Sequence, residues 1–321
     1  MENKKEKIFL ILDSNSLLHR AFHALPPLTN KRGEPVGSIY GFLSVLWKII
    51  RETKPDLVAA CFDCPGPTLR HKEFKKYKAK RPPLDPALKP QIEKAKEILK
   101  ILNVPVFEKE KYEADDIIGF LTREISKRQI FPKIKVKILS GDLDLLQLID
   151  SNVTVLLMKT GVKDIPEYDI KKVKEKYNGL LPSQIVDFKA LRGDPSDNIP
   201  GVSGIGEKTA ISLLNNFNNL ENLYFEIENQ TEKSRKIKEK IKTLLLQQKE
   251  QAFLSKSLAK IKKDIDLNFD IGRCYWGKYK KEEFIKKLEE LGFKSLIKRF
   301  FPSEIKEKKE EKTNIQKRLI N

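Results

Sequence analysis

The stretch KYEADD, residues 111–116, sets Glu113, Asp115 and Asp116 within four positions. Two more acidic clusters follow: Asp142 and Asp144 in SGDLDLLQL, and Asp194 and Asp197 in RGDPSDN, one helical turn apart. Asp13 and Asp63 each end an apolar run nearer the start. Singly, such residues cap helices or complement the positive end of a helix dipole. Gathered in one place, these nine carboxylates would repel one another unless cations were bound. Oxygen donors with almost no His or Cys beside them select Mg²⁺ or Mn²⁺ over zinc or copper. No D-x-D-x-D-G loop marks an EF-hand. The donors are too many for one ion, so two are expected. Such a pair clamps the attacking and leaving oxygens of a phosphoryl displacement and lowers the pKa of a bound water.

The elements that must carry these residues alternate along the first two hundred positions. KIFLILD (7–13), LVAACFD (57–63), NVPVFEK (103–109), KVKILSGDLD (135–144) and NVTVLLM (152–158) read as strands or extended segments. GSIYGFLSVLWKIIRET (37–53), PALKPQIEKAKEILKIL (86–102) and ADDIIGFLTREISKR (114–128) have helical spacing. The expectation is an α/β fold, a mostly parallel central sheet covered by helices on both faces. In such sheets the functional crevice lies at the carboxyl ends of the strands, where Asp13, Asp63, Asp142 and Asp144 fall. Beyond residue 180 the pattern turns helical and polar, with one or two solvated helices over 231–263 and a small closing helical element over 280–301. The tail SEIKEKKEEKTNIQKRLIN has no apolar face.

The chain has 321 residues and carries 63 Lys and Arg against 45 Asp and Glu, a formal net charge of +18. A nucleic-acid partner is the first reading of that balance. CPGPTLRHKEFKKYKAKRPPLDP concentrates Arg70, Lys72, Lys75, Lys76, Lys78, Lys80 and Arg81, interleaved with Phe74 and Tyr77 and bounded by prolines. That composition suits a mobile element gripping single strands by charge and stacking. GVSGIGEKT supplies Gly201, Gly204 and Gly206 before Lys208 and Thr209. It lacks the strand before a dinucleotide fingerprint, and Glu207 displaces the lysine of a P-loop. What is left is a glycine turn between helices that offers backbone N–H groups to phosphate, the logic of a helix–hairpin–helix.

MENKKEKIFLILD has too short an apolar core for a signal peptide, and no run approaches the ~20 apolar residues of a membrane span, so a cytoplasmic protein without membrane contact is expected. Cys61 and Cys64 form a C-x-x-C with no second pair, since Cys274 is remote and His71 cannot complete four ligands. Small buried residues at a strand end are the favoured reading.

LDSNSLLHRAFHALPPL, GFL, FDCPGPTLRHKEFKKYKAKRPP, YEADDIIG, SGDLDLLQL and GDPSDNIPGVSGIGEKTA, spread over residues 7 to 300, resemble the bacterial 5′-3′ exonuclease and flap endonuclease family. This family comprises the 5′-nuclease domain of DNA polymerase I and its free-standing relatives. The resemblance implies a PIN-like catalytic core over 1–180 with a helical arch near 65–95. It implies a helical DNA-binding subdomain over 181–300, a helix–hairpin–helix near 198–212, and a charged tail or linker over 302–321. It implies a metal-dependent nuclease acting on 5′ ends, nicks, 5′ flaps and RNA-primed DNA in replication and repair, as a monomer fused to or acting with DNA polymerase I. All nine carboxylates, Asp13, Asp63, Glu113, Asp115, Asp116, Asp142, Asp144, Asp194 and Asp197, become ligands of a two-metal site. Tyr77, Lys78 and Arg81 fall in the arch, with Lys78 and Arg81 at the scissile phosphate and Arg20 and Arg70 on the strand. Duplex backbone and a K⁺ ion would bind around Gly204, Gly206, Lys208 and Thr209. One departure is Leu143, which stands where the family usually carries Lys or Arg. The rivals are a silent DNA-binding module, which would lose the carboxylates, a small-molecule phosphatase, which needs no basic track, and an RNase specialised away from DNA.

Overall fold

The computed structural model describes residues 6–127, 133–159 and 164–302; the tail expected over 302–321 lies, beyond Pro302, outside them. Strand β1 (Lys7–Asp13) is central because it is apolar on both sides. Phe9 and Ile11 face one layer, Leu10 and Leu12 the other, and all four are fully buried. The sheet has six strands in the order β3-β2-β1-β4-β5-β6, formed by β2 (Leu57–Cys61), β3 (Val106–Phe107), β4 (Ile134–Ser140), β5 (Val153–Leu157) and β6 (Glu167–Tyr168). All neighbours pair in parallel except β6, an antiparallel edge beside β5. The chain runs outward from β1 through β2 to β3, then crosses to β4 on the other side of β1. This reversal opens a crevice at the carboxyl ends of β1 and β4.

One face is covered by α1 (Ser14–Ala24), α2 (Gly37–Thr53) and α4 (Lys89–Ile101). The short α3 (Leu69–Glu73) precedes α4, and α5 (Ala114–Lys127) covers the opposite face. After α6 (Ile170–Lys176), helices α7 (Ile185–Arg192), α8 (Glu207–Phe217), α9 (Leu220–Glu228), α10 (Glu239–Gln247) and α11 (Lys249–Ala259) contribute to a separate apolar core, from Leu180 to Ala252.

The helical subdomain expected over 181–300 is shorter than the sequence pattern implies. Ile261 and Ile265 return to the α5 face of the sheet. α12 (Lys281–Glu290) and α13 (Lys294–Phe300) pack on the other face, where Phe300 stacks on Trp47 of α2 with ring centroids 4.5 Å apart. Burying Phe284 in that cluster contributes about 2–3 kcal/mol, enough to tie the closing helices to the sheet layers. The expected helical arch is also mostly not helical, since turns follow α3 and continue to the prolines at 82 and 83.

Candidate metal centre and nucleic-acid interface

Asp13 is the last residue of β1 and N-caps α1, accepting from Ser16 N at 3.3 Å. Its other oxygen accepts from the buried Ser140 Oγ at 2.5 Å, and that hydroxyl in turn accepts from Asp142 N at 2.8 Å. A single serine at the end of β4 therefore fixes both Asp13 and Asp142. Asp142 Oδ1 accepts from Asp144 N at 2.9 Å, so this pair is held by its own turn. Asp63 lies two residues beyond the end of β2 and accepts from Ala114 N, the first residue of α5, at 2.7 Å. Arg20 bonds the carbonyls of Gly141 and of Lys159, the latter at 2.7 Å. A Cβ at Gly141 would lie 2.0 Å from the Arg20 side chain, so a larger residue there would push this guanidinium out of its crossing. Arg20, expected on the DNA strand, thus also braces the turn that carries Asp142.

Asp13, Asp63, Glu113, Asp115, Asp142, Asp144 and Asp194 line one cavity of about 1470 Å³, together with Lys78, Arg81 and Lys189. Burial, followed by the charges of Asp142 and Asp63, pushes Asp13 up to about 7, although the Ser140 bond opposes it. Burial pushes Asp144 up to about 7 against the pull of Lys189. Burial and then the neighbouring Asp142, Asp13 and Asp144 hold Asp115 well above the usual carboxylate range. Asp63 is raised as well; it opens to the cavity, but the dense protein around it dominates. Carboxylates resisting ionisation beside one another are what a hard cation relieves, and the donor set is all oxygen, so the residues fit Mg²⁺ or Mn²⁺. Among the described residues no three or more His, Cys, Asp or Glu side chains are already drawn together closely enough to hold an ion.

The structure brings in only these seven of the nine expected ligands. Asp116 is 1% exposed and fully committed elsewhere. It forms a two-pronged pair with Arg70 at 2.8 Å on both prongs and accepts from Glu113 N at 3.1 Å and Lys262 N at 2.8 Å. Arg70 is equally buried and also donates to the carbonyls of Leu258 and Lys260, so it is not a strand contact. Asp197 faces the basic segment instead: Arg81 Nη2 lies at 2.5 Å, Lys78 Nζ at 4.0 Å and the Tyr77 hydroxyl at 3.1 Å. Asp194 and Asp197 do not share a helix, because residues 194–199 form a tight turn closed by an Asp194–Ile199 bridge. Tyr77 is 3% exposed, so it cannot serve as a stacking platform; its hydroxyl also reaches Glu113 Oε2 at 3.1 Å.

Lys78 pairs with Glu113 at 3.0 Å, and its own N–H donates to the Asp197 carbonyl at 2.9 Å. The basic segment is thereby closed onto the acidic turn, while Lys72, Lys75, Lys76 and Lys80 stay exposed above it. Sequence reasoning missed Lys189, which ion-pairs with Asp144 and, at 2.6 Å, with Asp194. Burial alone would raise Asp194, but Lys189 and two Ser196 bonds hold it at about 2. The available signal was its place five residues before Asp194 on a helix running into the acidic turn.

Gly201 has φ +66°, and a Cβ there would come within 2.2 Å of Gly193 N, so the hairpin closes only with glycine. Gly206 caps α8, and Gly204, Gly206 and Lys208 are exposed with Thr209 partly so. Cys61 ends β2 and is buried, its thiol pushed well up by burial, and it and Cys64 are free. His71 bonds Thr68 rather than a cysteine. Among the described residues no helix is long and apolar enough to cross a membrane.

Residues 8–178 match the 5′-3′ exonuclease N-terminal resolvase-like domain, and residues 180–282 match the 5′-3′ exonuclease C-terminal SAM fold. The chain is 43% identical over 298 residues to DNA polymerase I of Caldicellulosiruptor bescii, covering 92% of this chain but only 34% of that protein. It therefore spans about a third of the length of such polymerase relatives. It is 37% identical over 292 residues to the 5′-3′ exonuclease of Aquifex aeolicus, covering 91% of this chain and 94% of that one. The fold is shared with the bacteriophage T5 5′-exonuclease solved with bound zinc, at TM-score 0.63, 23% identity, and coverage of 80% of this chain and 90% of that one. It is shared also with the T5 flap endonuclease solved with DNA and metal ions, at TM-score 0.64, 19% identity, and coverage of 92% and 96%.

Proposed function

The chain belongs to the 5′-3′ exonuclease family, and on that premise we propose that it is a structure-specific 5′-nuclease dependent on divalent metal. Its substrates are 5′ ends, nicks and 5′ flaps of DNA and RNA-primed DNA, and its role is in replication and repair. The carrying observation is one cavity floored by seven carboxylates and walled by Lys78, Arg81 and Lys189. The basic wall attracts a polyanion, and bound cations let a phosphodiester approach the acidic floor.

Asp13, Asp63, Glu113, Asp115, Asp142, Asp144 and Asp194 would hold Mg²⁺ or Mn²⁺, which supplies charge neutralisation at the phosphate and a more acidic water. Lys78 and Arg81 orient the phosphate and oppose charge that develops on its oxygens. Tyr77, Asp197, Asp116 and Arg70 hold Glu113 and the basic segment in place. The Gly204–Thr209 hairpin binds duplex backbone and a monovalent cation. The protein acts as a cytoplasmic monomer, alone or with a DNA polymerase I.

Product mapping on 5′-labelled flap, nicked and RNA–DNA junction substrates tests this reading. Cleavage near the junction that weakens steeply as salt rises supports it. Hydrolysis of a small phosphomonoester with no flap cleavage would overturn it.

A further inference from the structure

The two halves of the carboxylate box differ in how their charge is balanced. Among the described residues Asp13, Asp115 and Asp142 take part in no ion pair, and Asp13 and Asp142 are held by hydrogen bonds from a serine and from backbone N–H groups. Asp144 and Asp194 instead share the ammonium of Lys189, which pairs with both and lies 2.6 Å from Asp194 Oδ2. The three side chains are 11%, 16% and 13% exposed, so this pair is largely withdrawn from competing water. Lys189 stands on α7, whose last residue precedes the glycine that opens the turn carrying Asp194. Helix and turn therefore set its reach.

We propose that Lys189 is a resident counter-ion of the Asp144–Asp194 half, and that it must withdraw before a divalent cation can bind both aspartates. The ammonium already holds Asp144 Oδ1 and Asp194 Oδ2, Ser196 takes up Asp194 Oδ1, and a divalent cation brought between the two carboxylates would lie against that like charge. The unpaired half takes its ion first. The second site is populated only in the fraction of molecules whose lysine has swung out, and its apparent affinity falls by that fraction. The inference rests on the metal-site reading above and deepens it by giving the two ions unequal access.

Mn²⁺ titration of the full chain, read by the electron paramagnetic resonance of the free ion, separates the two readings. Wild type is expected to bind one ion tightly and a second weakly, whereas Lys189→Met should tighten the second by about tenfold or more. An unchanged or weaker second site in a folded Lys189→Met would overturn the inference. Lysine ¹³Cε resonances of wild type, with Lys189 assigned through Lys189→Arg, decide the matter without relying on that variant's folding. The Lys189 signal should shift with Mg²⁺ in the second binding phase; a signal unmoved at saturation would contradict the proposal. Absence of any Mn²⁺ binding to wild type would bring down the metal-site reading itself, and this inference with it.

Discussion

On the first turn of α5, Asp115 faces the cavity beside Asp13, Asp142 and Asp144, whereas Asp116 turns away to Arg70. Successive helical residues point about 100° apart, so one step along the chain separates an open carboxylate from a locked one. Asp115 carries like-charge repulsion from Asp142, Asp13 and Asp144 that the nearby Lys78 offsets only in part. Asp116 has four protein hydrogen bonds, and through Arg70 it joins α3, α5 and the return segment at 258–262. Residues of identical chemistry thus divide into those that can bind something else and those already satisfied. Accounting for partners, rather than residue type, distinguishes them.

Substitution at both positions is the sharpest way to break that division. Asp115→Ala should lose about 10²-fold or more of flap cleavage, as expected when a side chain that would hold the divalent cation is removed. Its melting temperature in EDTA should hold or rise, because repulsion is relieved. Asp116→Ala should destabilise by about 3–5 kcal/mol, leaving Arg70 buried without its partner. At about 2.1 cal/mol/K of unfolding entropy per residue, a chain of 321 residues should fall by roughly 1.5 °C per kcal/mol. Equal stability losses in the two variants, measured by thermal unfolding, would erase the comparison.

A smaller effect follows from the raised groups. Asp13 and Asp144, each near 7 when folded against an ordinary 3.8, bind protons more tightly in the native state than in the unfolded one. Stability of the metal-free protein should therefore fall as pH rises from about 4 through about 7, then level off. Asp194, held at about 2, works in the opposite direction only below the ordinary range. Melting in EDTA at pH 5 and pH 8 checks the sign. A higher melting temperature at pH 8 would contradict it, and added Mg²⁺ should restore stability mainly at pH 8.

Much of this was legible in the sequence. Continuous apolar runs alternating with segments of helical spacing located the sheet, and α2 occupies the residues its spacing marked, Gly37–Thr53. The acidic ends of β1 and β4 located the crevice. The sequence did not distinguish Asp115 from Asp116, because which face of a helix meets a buried arginine is a tertiary fact. It also placed Tyr77 and Arg70 in a mobile basic track, since a charged, aromatic run reads alike whether it grips a ligand or folds onto acid. Lys189 was hidden for the converse reason: a single lysine in a helical stretch looks solvated until the fold brings Asp144 to it. The closing helices α12 and α13 looked continuous with the helical subdomain, but packing such as that of Phe300 on Trp47 returns them to the sheet layers.

The central claim is that the cavity-facing carboxylates perform metal-dependent cleavage. Its most direct test is release of a 5′-labelled flap by wild type and Asp142→Ala, each in Mg²⁺ and in EDTA. The account predicts junction cleavage by wild type with Mg²⁺, none in EDTA, and near-complete loss in Asp142→Ala despite an intact fold. Undiminished cleavage by Asp142→Ala, or by wild type in EDTA, would contradict it.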